Sequence, residues 1–515
     1  MPGTSRDHLF VATVGYLLGP SVVFLASWLS PAWGLPAAVL ALACLFDVWR
    51  RSKTSMPTLT LRQWAFVAAL ALVFTVVSGI GELNVQVWDY LKHNLAFHDL
   101  VAYRWPVVYA YPDPGGSLLC YYIAYYLPAS LVGKLLGLAW TAPASFVWGL
   151  AGVLLAFAWV ARLGRPRGGV VLAAFMLVDG FAWLPGLYPF AQRLGLLAGG
   201  PGGDWWTADR FTERIASFGT PPMRLLFESE PTQLLWSPQH AIAAWLATAC
   251  VLRTLEEGEP PRYLGLVLGA TLLWSPFVAI GLVPFVLIAL LRHPGGVATW
   301  PAVAGGLALA VPVGLYFLAH SSYQYLGFLP ARFSGPLDWL RYLLFLIASV
   351  GILGIAVALV RRRFGVPDQP EWALFVTAAV WLGSTTLVVL GYHNDWVMRV
   401  SMPALMVFRL VVARVVVELW GRCRRPAQRL AVATVLLLSA ERPLKILVLA
   451  PFGKVGGKPI DTTIATATRA APTLGELPGT AAFHLGSQYL GSPESWFGRH
   501  MLRQPARIAD PKAPR

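Results

Sequence analysis

The sequence predicts an all-α fold: a polytopic bundle of about 13 transmembrane helices with extracytoplasmic loops. Of its 515 residues, 57% are hydrophobic and only 13% are charged, whereas soluble domains carry about 25% charged residues. Apolar runs recur along the chain, and runs of about 20 residues are long enough to cross a bilayer. The 22 tryptophans and 17 tyrosines suit the boundary between lipid and water.

Candidate spans follow one another up to about residue 451. The first begins at Leu9 and is too long for the apolar core of a signal peptide, so we expect it to be retained. Ser275-Pro276 predicts that the span 263–291 bends into two helices. We assign residues 1–451 to a transmembrane domain and 452–515 to a small extracytoplasmic tail. The predicted spans are 9–29, 32–48, 64–81, 117–139, 144–161, 169–190, 234–253, 263–291, 300–319, 338–360, 371–391, 401–420 and 429–451.

The formal net charge of +15 is concentrated in short loops, which sets the expected orientation. Loops rich in Lys and Arg face the cytoplasm, and three such loops lie at 50–62, 361–363 and 422–429. This predicts a multi-pass protein of the inner (plasma) membrane, with outer segments at 82–116, 191–233, 320–337 and 392–400. Arg162, Arg165 and Arg167 conflict with it, so either one segment between 117 and 161 is re-entrant or the rule fails there.

The first outer loop carries the strongest candidate residues. Residues 81–100 hold no proline and no internal glycine, which predicts a helix lying at the interface. Asp89, Lys92 and His93 share one face of it by their spacing. Asp89 and His93 could act as a general base and its partner, or the face could simply be solvated. Glu82, where span 64–81 leaves the membrane, is either functional or the mark of a helix end.

Candidates also lie in the other two outer regions. Gln239 and His240 would sit in the outer part of the membrane and bind either a substrate or a neighbouring helix. Trp205 and its neighbour Trp206 suit stacking on a sugar or the headgroup belt. Asp395 and Arg399 are four residues apart and can pair at a helix start. The Arg399 guanidinium could then hold a lipid-linked phosphate, or the pair could only neutralise two charges near lipid.

Several function classes are excluded by the sequence. The chain contains no Walker A motif, dinucleotide-binding fingerprint or metalloprotease motif, and it resembles no nucleic-acid-binding module. Its four cysteines lack zinc or redox spacing. A divalent cation is compatible with the sequence, but no ligand cluster compels one, so no cofactor is predicted with certainty.

Four stretches together resemble one family. They are Asp89 to Asn94 with Asp99-Leu100 and Trp105-Pro106-Val107, then Gly116 to Tyr126, then Thr232 to His240, and finally Asn394-Asp395 with Arg399 and Pro403. From about residue 64 to 420 the layout resembles the GT-C superfamily of polytopic membrane glycosyltransferases, and more closely its largely uncharacterised bacterial members.

The resemblance implies an activity and a site. It implies an inverting enzyme that transfers a sugar from a polyprenyl-phosphate donor to an acceptor glycan, lipid or protein on the extracytoplasmic face. The catalytic base would be Asp89, assisted by His93, with Glu82 or Asp99 as the fallback. The expected substrate-binding residues are Lys92, Trp105, Trp205, Gln239, His240, Asp395 and Arg399.

Two other functions stay open. A membrane transporter or lipid flippase would need ionisable groups deep in the spans, and Asp179 and Glu441 are the main candidates. A non-catalytic assembly protein is the third possibility. Because most ionisable groups fall in the outer segments and not along a midplane path, we favour the transferase. We therefore expect Asp89, His93, Asp395 and Arg399 to line one cavity that opens to the outer face and to lipid.

Overall fold

A computed structural model describes residues 5–110, 115–181, 225–294, 299–320, 326–391, 394–454, 459–478 and 485–503. These residues are mostly helical, with seven strands of only two or three residues, which confirms the all-α class. The helices are α1 His8–Trp28, α2 Pro31–Arg51, α3 Leu61–Val77, α4 Tyr90–Ala102, α5 Leu127–Leu136, α6 Thr141–Leu163, α7 Gly168–Leu177, α8 Glu230–Trp236, α9 Pro238–Glu257, α10 Leu264–Leu272, α11 Pro276–Arg292, α12 Trp300–Leu318, α13 Pro336–Leu346, α14 Ile352–Phe364, α15 Gln369–Thr385, α16 Asp395–Val400, α17 Met402–Arg422, α18 Pro426–Ser439, α19 Glu441–Leu449 and α20 Trp496–His500. The strands are β1 Ser5–Arg6, β2 Lys53–Thr54, β3 Val108–Tyr109, β4 Ser117–Leu119, β5 Leu326–Phe328, β6 Val388–Leu390 and β7 Leu490–Gly491.

Five helical stretches of the described chain are long and apolar enough to cross a membrane. They are His8–Trp28, Pro31–Arg51, Leu138–Leu163, Trp300–Leu318 and Asp338–Phe364. Large apolar side chains such as Val39, Phe46 and Val147 are exposed on their outer surfaces. Apolar surface of this extent suits lipid, and the chain is a membrane protein. The larger number of about 13 spans stays a prediction.

The predicted span 117–139 is wrong. These residues form β4, a 3-10 turn at Ile123–Tyr125 and the ten-residue helix α5, which ends at Gly137. Gly137 has a φ of 103°, a conformation that glycine adopts readily. A helix of ten residues is about 15 Å long, half of the roughly 30 Å of a hydrocarbon core. The segment therefore does not cross the hydrocarbon core as one helix. This is what the first of the two explanations for Arg162, Arg165 and Arg167 requires, and we call residues 117–137 the re-entrant segment for that reason.

Arg162, one of the residues that conflicted with the predicted orientation, takes part in a buried charge network at one end of the bundle. Arg162 at the end of α6 donates to the Asp7 carboxylate at 2.7 Å, and Arg253 of α9 donates to its other oxygen at 3.1 Å. Arg162 also reaches Thr54 in the loop after α2 at 2.8 Å. All three charged groups are buried, and buried charges require such partners. We call the end where these residues meet the basic end.

The prediction for residues 263–291 is confirmed: α10 and α11 are separate helices on either side of Leu273–Ser275. The Ser275 hydroxyl caps α11 by accepting from the Val278 amide at 3.2 Å. The Leu273 carbonyl, at the turn, accepts from the Ala124 amide at 3.4 Å. The turn between the two helices therefore supports the re-entrant segment.

The first outer loop is helical only from Tyr90 onward, so the predicted helix 81–100 is correct for its second half. Gly79, Gly81 and Glu82 have φ values of 79°, 75° and 64°, which break the helix before α4. A Cβ added at Gly81 would lie 2.4 Å from Phe146 Cβ of α6. Glycine is needed there because the loop crosses α6 at close range.

The described part of the tail packs on this loop region. β7 pairs antiparallel with β4, Leu118 opposite Gly491 and Leu119 opposite Leu490, and β4 pairs with β3. The first outer loop, the re-entrant segment and the tail thus meet in one three-stranded sheet. We call the end of the bundle that carries this sheet the site end.

Candidate functional site

Two ion pairs from distant parts of the chain form the centre of the site. Lys92 Nζ lies 2.5 Å from Asp89 Oδ2 at the start of α4. Arg399 of α16 donates to Asp395 Oδ1 from Nη2 at 2.6 Å and from Nε at 3.0 Å. The predicted pairing of Asp395 and Arg399 is confirmed. The exposed fractions of Asp89, Lys92, Asp395 and Arg399 are 22%, 13%, 18% and 12%. We call these four residues the charged quartet.

The two pairs act on each other electrostatically. Burial raises the pKa of Asp89, but the charge and hydrogen bond of Lys92, together with His93 and Arg399, bring it below its usual value. Burial lowers the pKa of Arg399, yet Asp395, two tyrosines and Asp89 raise it above the usual range. Residues 89 and 399 are therefore close enough to influence each other's ionisation. The structure brings together four of the groups that the sequence singled out.

Tyrosine rings border the quartet. Tyr121 has ring centroids 4.7 Å from Tyr122, 6.2 Å from Tyr126 and 4.8 Å from Tyr489. All four charged groups act electrostatically on Tyr121. Tyr121, Tyr122 and Tyr126 could have been recognised from the run 121–126, which was already part of the family resemblance. The sequence offers no signal for Tyr489, which comes from the tail.

His93 is bonded through both ring nitrogens. Nδ1 lies 2.6 Å from the Tyr126 hydroxyl and Nε2 lies 3.2 Å from the Trp236 carbonyl. A carbonyl can only accept, so Nε2 donates and Nδ1 accepts from the hydroxyl. Burial, then the charge of Lys92, lowers the pKa of His93 to about 3. This arrangement makes His93 a positioning residue that joins α4 to α8, and it does not fit the expected role as partner of the base.

The lowered pKa of His93 predicts a pH dependence of stability. The imidazole stays neutral in the folded protein down to about pH 3, whereas in the unfolded chain it is protonated below about pH 6.5. Below about pH 6.5 the unfolded state therefore binds more protons than the folded state. The free energy of unfolding falls there by up to about 1.4 kcal/mol per pH unit as the pH decreases. We expect His93→Gln to flatten this slope, measured as unfolding midpoints in detergent between pH 7 and pH 5.

Replacement of the exposed His8 provides the matched control for His93. His8→Gln should keep the pH slope of the unmodified protein, because the His8 side chain is exposed at the start of α1. Identical slopes in the unmodified protein and in His93→Gln would contradict the assignment of a neutral, doubly bonded His93.

Gln239 and His240 are neighbouring buried polar residues in the first turn of α9, and His240 lies near the quartet. Both have an exposed fraction of 0%, and neither the Gln239 amide nor the His240 ring has a hydrogen-bond partner among the described residues. The His240 ring lies 5.0 Å from the Tyr122 ring and within electrostatic range of Lys92 and Arg399. Buried polar groups nearly always have partners, so these two are suited to bind a ligand.

Glu82 and Asp99 contact the tail instead of the quartet. Glu82 Oε1 accepts from the Ile464 amide at 2.5 Å. Asp99 is fully buried, and its Oδ2 accepts from the Tyr109 hydroxyl and the Leu474 amide, both at 2.8 Å. Burial raises the pKa of Asp99 despite these hydrogen bonds. Both expected fallback bases therefore serve to attach the tail.

Of the two tryptophans of the predicted site, Trp105 lies among the described residues. Trp105 packs on Trp28 at 5.2 Å, lies under Lys134 at 5.3 Å and donates to the Leu100 carbonyl at 2.8 Å. These contacts make it part of the packing beneath the outer loop, and its expected role in substrate binding stays a prediction. Trp205 lies outside the described residues.

The fold and the site define an all-α membrane protein with a charged, tyrosine-lined site at one end of its bundle. No family model, no curated protein and no solved structure matches the chain. Among the described residues, no group of three or more His, Cys, Asp or Glu side chains is placed to hold a metal ion.

Proposed function

We propose that this protein transfers a sugar from a polyprenyl-phosphate donor to an acceptor glycan, lipid or protein at the site end of its bundle. The observation that carries the proposal is the charged quartet: two carboxylates and two cations, contributed by α4 and α16, in a partly exposed site. A GT-C-like bundle of about 13 spans in the plasma membrane would place this site at the extracytoplasmic surface, beside membrane lipids.

The reaction needs a base and a group that stabilises the leaving phosphate. Asp89 would take the proton of the acceptor hydroxyl, whose oxygen forms a bond to the anomeric carbon. The bond from that carbon to the phosphate oxygen breaks, and its electron pair stays on polyprenyl phosphate. Lys92 and Arg399 would balance the charge of that phosphate, since fixed cations in a partly dry site stabilise such charge strongly.

The electrostatics explain how Asp89 could act as a base although its pKa is low in the ligand-free protein. The charge of Lys92 is the main factor that opposes the effect of burial on this carboxylate. A phosphate bound to Lys92 and Arg399 would compete with Asp89 for those cations. Donor binding would thereby raise the basicity of Asp89 when the acceptor arrives.

The neutral groups of the site would bind the sugar. Tyr121 and Tyr122 offer ring faces and hydroxyls, and Gln239 and His240 offer hydrogen-bonding groups without protein partners among the described residues. A site with such groups favours ligands that carry matching hydroxyls, because an unpaired buried polar group costs about 1–3 kcal/mol.

Gln239→Leu tests this assignment through two opposite effects. Removing a buried amide without partners should raise the free energy of unfolding by about 1–3 kcal/mol. The same change should weaken donor binding roughly tenfold, which corresponds to about 1.4 kcal/mol. Unfolding and donor affinity are both measured on purified protein in detergent.

Thr248→Val is the matched control for Gln239→Leu. Thr248 lies on the same helix, is equally buried, and its hydroxyl also has no partner among the described residues. Thr248 lies nine residues after Gln239 along α9, which corresponds to a distance of about 13 Å. The control should gain stability with unchanged donor affinity. If both variants leave affinity unchanged, Gln239 has no part in donor binding.

A transporter or lipid flippase is the second candidate, and one observation favours it. Arg409 of α17 donates to Asp179 at 2.6 Å and to Glu230 at 3.1 Å, and Arg442 lies 3.4 Å from Asp179. This buried network of two carboxylates and two guanidiniums lies among helices α7, α8, α17 and α19. Its charges are balanced, which suits structural support as well as an ion path.

The experiment that separates the two functions uses protein reconstituted into vesicles with a labelled polyprenyl-phosphate sugar. A transferase moves the label from the lipid to an acceptor and releases polyprenyl phosphate. A flippase moves the intact labelled lipid between leaflets. Translocation without any loss of label from the lipid would refute the transferase.

A further inference from the structure

We propose that the described parts of the tail, residues 459–478 and 485–503, form one wall of the site, and that Tyr489 positions Tyr121 beside the charged quartet. The tail, residues 452–515, was expected to be a small extracytoplasmic appendage. The contacts of these described parts instead tie them to the first outer loop and to the re-entrant segment, two of the elements that carry the site. The identity of the ligand rests on the proposed function, whereas the wall itself does not.

Polar anchors hold the first part of the segment along the first outer loop. The amides of Ile464 and Leu474 donate to the carboxylates of Glu82 and Asp99, and Asn94 Nδ2 donates to the Thr462 carbonyl at 3.1 Å. Asp99 and Asn94 are buried within α4. Buried carboxylates and amides are costly unless they are paired, so these anchors specify where the segment lies.

Backbone pairing fixes the second part against the re-entrant segment. The Cys120 amide donates to the Tyr489 carbonyl at 2.8 Å, and β7 follows immediately as the partner of β4. On the other side, His320 Nε2 lies 2.8 Å from the Gln488 carbonyl. The register of this pairing, continued by one residue, places Tyr489 opposite Cys120, the residue before Tyr121, and a shift by one residue would turn the side chain to the opposite face.

The side chain of Tyr489 faces the site. Its ring meets the Tyr121 ring edge-on, with centroids 4.8 Å apart and planes at 83°. It is almost fully buried, and burial, then Tyr121 and the charges of Asp89 and Asp395, raises its pKa. Its hydroxyl accepts from the neighbouring Gln488 amide at 2.7 Å. The ring, and not the hydroxyl, therefore makes the contact that orients Tyr121.

The first test measures access to the site in the ligand-free protein. Lys92 is modified with a small amine-reactive reagent, and the rate is followed by mass spectrometry of the peptide that contains it. Tyr489→Leu should increase this rate several-fold, whereas Tyr489→Phe and the exposed control Glu494→Gln should leave it unchanged. Equal rates in Tyr489→Leu and Tyr489→Phe would contradict the proposal that the tail forms a wall of the site.

The second test measures binding of polyprenyl phosphate to the same variants. Tyr489→Leu should raise Kd by up to about tenfold, in line with the loss of one aromatic contact, and Tyr489→Phe should not. If Lys92 becomes accessible in Tyr489→Leu but the unmodified protein binds no polyprenyl phosphate, the proposed function is contradicted, whereas the proposal that the tail forms a wall of the site is supported. If Tyr489→Leu does not fold, Tyr121→Leu removes the other ring of the same contact, and unchanged Lys92 access there would overturn the wall.

Discussion

Asp89→Asn should lower the rate of sugar transfer by about 10²–10⁴-fold, the range for loss of a general base. Asparagine keeps the size of the side chain but cannot accept a proton. It also removes the charge that pairs with Lys92 at 2.5 Å, which leaves that ammonium free to hold the donor phosphate. We therefore expect the catalytic rate to fall while the affinity for the donor stays equal or improves. The measurement is kcat and KM for release of polyprenyl phosphate.

Asp338→Asn is the matched control for this loss. Asp338 also pairs with a cation three residues later, Arg341 at 3.7 Å, but it lies at the start of α13, and the site contains no residue of that helix. Removing an ion pair with the same spacing there should leave transfer unchanged. Undiminished transfer by Asp89→Asn would remove Asp89 as the base, whatever the control shows.

Arg399→Gln should lower transfer by about 10²–10³-fold, the cost of losing a donor that faces developing negative charge. Arg399 is held by two hydrogen bonds to Asp395, which fix the direction of its remaining N–H groups. The loss should appear in both kcat and KM, because the guanidinium would bind the phosphate in the substrate and in the leaving group. Arg399→Lys should rescue only partly, since an ammonium lacks the planar fork.

Arg422→Gln serves as the control for Arg399. Arg422 pairs with Glu418, four residues earlier on α17, at 2.7 Å, so it reproduces the spacing and geometry of the Asp395–Arg399 pair. It is far more exposed, with 44% of its side chain accessible. Exposed pairs contribute little, and neither stability nor transfer should change measurably.

Local patterns predicted the parts of the structure that local forces determine. Composition gave the membrane class, and the long apolar runs at 9–29 and 32–48 correspond to α1 and α2. The spacing of Asp395 and Arg399 predicted their ion pair because residues four apart on a helix are neighbours. Ser275-Pro276 marked the break between α10 and α11, since serine caps a helix and proline begins one.

Features that depend on distant contacts could not be predicted in this way. An apolar, aromatic run such as 117–139 suits one continuous spanning helix and a broken segment equally. The structure has the broken segment, and its strand β4 pairs with the distant residues 490–491. The role of His93 depends on Tyr126 and on the Trp236 carbonyl. The hydrogen bonds of Glu82 and Asp99 to amides of the tail join residues far apart in the sequence, which no local pattern reveals.

Photocrosslinking of polyprenyl phosphate tests most directly whether the quartet binds a lipid-linked phosphate. A photoreactive analogue is bound to the purified protein, and the modified peptides are identified by mass spectrometry. The labelled residues should fall within 89–93, 121–126 and 395–399, and an excess of unlabelled polyprenyl phosphate or the change Arg399→Gln should abolish the label. Labelling that lies elsewhere on the chain, or that persists in Arg399→Gln, would contradict the site.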